Sequence, residues 1–141
     1  MKKLDVTTVD IFPKLAGEWE GKYEVLLTDE ETDYVRSLES KYSMFHHLTK
    51  CFGMSLGCLA AKRMVAITES GDVLPCIWMY WSLGNIFDEP LDDILKRGMK
   101  YFSEYTNKCL VSSDRNFIEK YVTKTYGKKL PVPIAEVMGN V

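Results

Sequence analysis

Apolar residues recur at helical spacing in three stretches. Tyr34, Val35, Leu38, Tyr42 and Phe45 share one face and predict a helix over about 29–46. Its start is marked by Thr28-Asp29-Glu30-Glu31, where Thr28 can cap, Glu31 can close a capping box, and the acids suit the positive end of the helix dipole. Leu91, Ile94, Leu95, Met99 and Phe102 predict a second buried stripe, opened by Asp88-Glu89-Pro90, with Asp92, Asp93, Lys96 and Lys100 on the wet side. Phe117, Ile118, Tyr121 and Val122 predict a third helix that starts at Ser112-Ser113-Asp114 and is broken by Gly127, Pro131 and Pro133.

Strand-type runs lie between the first two helices. Arg63–Thr68 and Asp72–Leu74 flank the turn Glu69-Ser70-Gly71-Asp72, in which Gly71 is free to take positive φ. This predicts a hairpin. Val6–Phe12 alternates weakly and reads as a strand stopped by Pro13; Lys14–Tyr23 reads as a loop or arm, with Trp19 packing it onto the body. Ile77-Trp-Met-Tyr-Trp81 is a dense apolar patch that reads as core, with a substrate or partner surface as the alternative. The expected fold is α+β: a small domain of one β-hairpin and about three helices around a four-cysteine metal site. Residues 1–27 form an arm, 28–126 the folded domain and 127–141 a tail that ends loosely.

Composition narrows the class. A 46% hydrophobic and 12% aromatic content over 141 residues supports one folded domain with an arm. The formal net charge of -2 gives no electrostatic footprint for nucleic acid. No apolar run spans a bilayer, and the start Met-Lys-Lys-Leu-Asp lacks the apolar stretch of a signal peptide. A cytoplasmic, reducing setting is the expectation, in which thiolates bind metals more often than they form disulfides.

All four cysteines fall between Cys51 and Cys109, spaced C-x6-C, C-x17-C and C-x32-C. The hairpin folds the chain back and brings Cys58 and Cys76 to the same end. Zinc knuckles usually have two to four residues between paired cysteines, and the nearest pair here has six. Wide spacing around a hairpin favours an iron–sulfur cluster; zinc, or four buried thiols in a core, stay open. His46 and His47 are weaker ligand candidates, Asp92-Asp93 reads as a solvated face, and Arg63 and Lys108 are equally surface residues or partners for cluster charge. No P-loop, GxGxxG, GxSxG or HExxH motif is present.

Read together, C-x12-G-x4-C (Cys58, Gly71, Cys76), Leu83-Gly84-Asn85-Ile86, the Pro90-Leu91-x-x-Ile94 helix and the lone Cys109 resemble the auxiliary-cluster domain of radical S-adenosylmethionine enzymes, in its SPASM or shorter twitch form. The resemblance covers about residues 25–125. It implies one auxiliary [4Fe-4S] cluster held by Cys51, Cys58, Cys76 and Cys109, and a role in electron transfer or substrate positioning. The closely spaced cysteines that hold a second cluster in the SPASM form are absent after Cys109, which points to the one-cluster form. The C-x3-C-x2-C motif of the catalytic cluster is also absent, so S-adenosylmethionine chemistry would belong to a barrel elsewhere, in the same longer protein or a separate subunit. Phe12–Gly17 would be the remnant of such a barrel. The chain would then be non-catalytic alone, part of a radical oxidoreductase or peptide maturase, with a peptide as one candidate substrate. The reading from a different class is a peptide- or protein-binding module, stabilised by zinc or metal-free.

Overall fold

The structure is a computed structural model that describes residues 9–11, 15–39, 41, 44–46, 58–103 and 109–140. They divide into two compact units, one ending at Cys58 and taking in 109–115, the other running from Leu59 and resuming at Asn116.

In the first unit, β1 (Val9–Ile11) pairs in parallel with β2 (Met44–His46), in the register Val9↔Met44 to Ile11↔His46. Between them α1 spans Asp29–Glu39. The capping box forms in full. The Thr28 amide donates to Glu31 Oε2 at 2.8 Å, and the Glu31 amide donates to Thr28 Oγ1 at 3.2 Å. The helix is shorter than the predicted 29–46, because Met44–His46 is strand and bonds to a distant segment instead of continuing the turn. The β1 strand agrees with the expectation for Val6–Phe12. Trp19 does not pack as expected: it is 53% exposed, while Leu15 and Leu26 are the buried anchors of this stretch.

In the second unit, β3 (Ala66–Ile67) and β4 (Val73–Leu74) form the expected antiparallel hairpin, with Ala66 opposite Leu74. Gly71 has φ +86°, and a side chain there would meet Asn85 and the Phe87 ring at 2.6 Å. The turn is closed by the Thr68 amide donating to the Asp72 carbonyl at 2.9 Å. Residues 82–86 then run back along the hairpin: the Leu83 amide donates to the Val73 carbonyl at 2.8 Å, and the Val73 amide to Gly84 at 2.9 Å. Asn85 locks the corner, donating from Nδ2 to the Ser70 carbonyl at 2.8 Å and accepting the Phe87 amide at 2.9 Å.

α2 (Leu91–Tyr101) follows, with Pro90 at its N-cap. Its buried face is Ile94 and Gly98, continued by Phe102 just past the helix; Leu91 and Met99 of the predicted stripe are exposed. The shift has a packing cause. Gly98 lacks a Cβ, so Leu83 and Ala61 approach the helix backbone where a larger residue would hold them off. Arg97 fastens the helix from its edge, donating to the Leu83 carbonyl at 2.9 and 2.6 Å and to Glu89 at 3.0 and 2.5 Å.

α3 (Arg115–Lys120), in this unit from Asn116 on, turns Phe117 onto Trp81 at 5.7 Å between ring centres. The C-terminal residues are not loose. β6 (Val132–Pro133) pairs in parallel with β5 (Trp81–Ser82), α4 (Ile134–Met138) follows directly, and Val132, Ile134 and Val137 are buried. Met79 and Trp81 of the apolar patch belong to this core, whereas Ile77 and Tyr80 are exposed. The molecule is thus a mixed α+β protein of short strands in two-stranded sheets and four α-helices among the described residues.

Candidate metal centre

Three of the four cysteines are described, and no disulfide joins them. Cys76 lies in the second unit just past β4, 8% exposed, behind the buried Pro75. A tight turn follows it: the Met79 amide donates to the Cys76 carbonyl at 3.2 Å, and the Trp78 amide donates to Cys76 Sγ at 3.4 Å. An amide directed at sulfur stabilises a thiolate there. Ahead of the hairpin, Ala61 takes φ +53°, and its amide donates to the carbonyls of both Met64 and Pro75 at 2.9 Å. The segment after Cys58 is thereby tied to the residue before Cys76.

Cys58 and Cys109 lie in the first unit, Cys58 at 7% exposure. They are close enough for their charges to interact. Burial pushes the Cys109 thiol up from its ordinary value, and Cys58 adds in the same direction; the Ser112 hydroxyl and the amides of Val111 and Ser112 pull against that rise. A neutral thiol pair gives way to thiolates when a metal supplies the positive charge. Two soft sulfur donors in one unit, with polar hydrogens around one of them, are of the ligand type that a thiophilic metal or cluster takes.

Cys109 opens a turn that runs to Asp114. Three amides, from Ser112, Ser113 and Asp114, donate to the Cys109 carbonyl at 3.4, 3.0 and 3.2 Å, and the Ser113 hydroxyl joins them at 3.1 Å. Ser112 is 1% exposed; its hydroxyl lies near enough to the Cys109 sulfur to act on that thiol, yet completes no hydrogen bond of good geometry. Ser112 was not among the site candidates from sequence, where it reads as a helix cap. The signal that points to it is a small polar residue three positions after a ligand-type cysteine.

Among the described residues no three His, Cys, Asp or Glu side chains are gathered as a metal site requires. Cys51, the remaining sequence candidate, lies outside the described residues, as do His47 and Lys108. His46 ends β2. Arg63 and Asp92 are exposed, and Asp93 makes an exposed ion pair with Lys96 at 3.4 Å, as a solvated helix face does. No helix among the described residues is long and apolar enough to cross a membrane.

The stretch that holds the hairpin, α2 and the Cys109 turn is similar to a known family. Residues 58–116 match SPASM, an iron–sulfur cluster-binding domain. The SPASM match begins at Cys58, contains Cys76 and Cys109, and ends at the second residue of α3. It agrees with the resemblance carried by the hairpin glycine, the Gly84-Asn85-Ile86 corner and the helix after Pro90. No curated protein and no solved structure matches the chain. The matched segment is thus similar to a domain that binds an iron–sulfur cluster.

Proposed function

We propose that the chain holds one auxiliary [4Fe-4S] cluster on Cys51, Cys58, Cys76 and Cys109, and serves a radical S-adenosylmethionine barrel located in the same longer protein or in a separate subunit. The observation that carries this reading is the SPASM match across three of the cysteines, two of which, Cys58 and Cys109, sit within range of each other in one unit. Bound there, the cluster supplies one-electron redox chemistry. The residues hold it and set its surroundings: buried Pro75 and Met79 flank Cys76 and limit water, and the Trp78 amide steadies the Cys76 sulfur. Four thiolate ligands leave no iron position open to a substrate, which supports electron transfer over direct substrate coordination. Positioning of a substrate such as a peptide beside the barrel is compatible with the same centre. A reducing compartment such as the cytoplasm suits thiols kept for metal binding.

The test is anaerobic reconstitution of the full chain with iron and sulfide, followed by iron counting and absorption spectroscopy. About four irons per chain with a broad band near 400 nm, lost in a Cys58→Ala, Cys76→Ala double variant, is the expected result for a Cys-ligated cubane. A colourless protein that retains zinc, or no metal, would sink the proposal.

A further inference from the structure

The Cys109 turn contains one polar group that its own hydrogen bonds do not use. The Cys109 carbonyl already receives three amides and the Ser113 hydroxyl. The Ser112 hydroxyl, one position before Ser113, is buried and close enough to act on the Cys109 thiol, yet completes no hydrogen bond of good geometry. A buried hydroxyl left unpaired is costly, so a fold that retains one calls for an acceptor that is present only in some state of the molecule. A thiol sulfur is a weak acceptor, whereas a metal-bound thiolate is a strong one.

We propose that Ser112 is a positioning residue whose hydroxyl donates to the Cys109 sulfur once that sulfur is a thiolate ligand, raising the reduction potential of the cluster. The inference rests on the reading of Cys109 as a ligand. Donation to sulfur withdraws electron density from the metal centre and so favours the reduced, more negative state. The hydroxyl thus serves the loaded form more than the metal-free one.

The experiment compares the full-length wild type with Ser112→Ala and Ser112→Thr, each reconstituted anaerobically. Iron content, a mediated redox titration read by absorbance, and the melting midpoints of the metal-free and loaded forms are recorded. Ser112→Ala is expected to load the same iron and to become harder to reduce by about tenfold in the oxidised-to-reduced ratio, which is about 59 mV for one electron. Ser112→Thr, which keeps the hydroxyl, is expected to return toward the wild-type potential. The metal-free Ser112→Ala protein is expected to melt no lower than wild type, because no hydrogen bond is lost. Equal potentials in all three loaded proteins would overturn the inference while leaving the cluster reading intact. So would a Ser112→Ala chain that fails to fold, or one whose metal-free midpoint falls, since the hydroxyl would then serve the fold. A wild-type chain that takes up no iron removes the cluster reading itself, and this inference with it.

Discussion

Gly98→Ala sets two effects of known sign against each other. Within an α-helix, alanine is favoured over glycine by about 1 kcal/mol, so on propensity alone the variant should be more stable. Packing says otherwise. A Cβ at Gly98 would stand 2.7 Å from Leu83 Cδ1 and 3.2 Å from the Ala61 Cβ. Leu83 is 2% exposed, so its side chain has packed neighbours to move against, and its backbone is fixed by the bonds from its amide to Val73 and from Arg97 to its carbonyl. Ala61 is held by two hydrogen bonds from its amide. Overpacking of a close-packed core by one methyl costs about 1–3 kcal/mol. The net expectation is a loss of about 1 kcal/mol, or about 3 °C in Tm for a chain of this size.

The companion change separates the two effects. Leu83→Ala alone should cost about 2–5 kcal/mol through the cavity it leaves. In that background the close contact is gone, and Gly98→Ala should become neutral or stabilising by up to about 1 kcal/mol, as propensity alone requires. The coupling between the two sites is then about 2 kcal/mol. Urea denaturation followed by tryptophan fluorescence reads this, since Trp81 lies in the same core. Additive effects, or a Gly98→Ala protein more stable than wild type, would refute the packing account of α2.

Three further outcomes follow from the same structure. Thr28→Ala removes half of the capping box and should cost about 1 kcal/mol, seen as faster amide exchange in the first turn of α1 and not in the hairpin. Gly71→Ala combines a left-handed backbone with a clash against Asn85 and Phe87, and should lower stability by about 1–3 kcal/mol in a melting experiment, more than Gly127→Ala, where φ is also positive but the space is open. The hydrogen bond from Arg97 holds the Glu89 carboxyl below its ordinary 4.5. A depressed folded value means that this contribution is complete above 4.5 and is lost as pH falls through the folded value; Glu89→Gln should flatten that acid limb, and an unchanged acid limb would count against the bridge.

Local signals were legible, and long-range ones were not. The capping box and the glycine hairpin each use residues within a few positions of one another, so their chemistry is visible in the sequence. The end of α1 is invisible there, because Tyr42 and Phe45 keep helical spacing while Met44–His46 pairs with Val9–Ile11, a partner set by the fold. Gly98 reads as a weak point in a helix, yet it is the contact that lets Leu83 in. Trp19 illustrates the converse: a large aromatic side chain need not anchor anything. At the centre, cysteine spacing and the hairpin flagged the thiols, but nothing local separates Ser112 as a cap from Ser112 as a buried hydroxyl in the Cys109 turn. That distinction depends on burial.

The parallel pairing of Trp81–Ser82 with Val132–Pro133 also sets an order of events during synthesis. The chain leaves the ribosome N-terminus first, so Cys58, Cys76 and Cys109 all emerge before the strand that covers Trp81 exists. Until Val132–Val137 arrives, that edge and its apolar neighbours stay accessible to water and to chaperones. Val132–Val137 is therefore the segment whose arrival closes the core around Trp81.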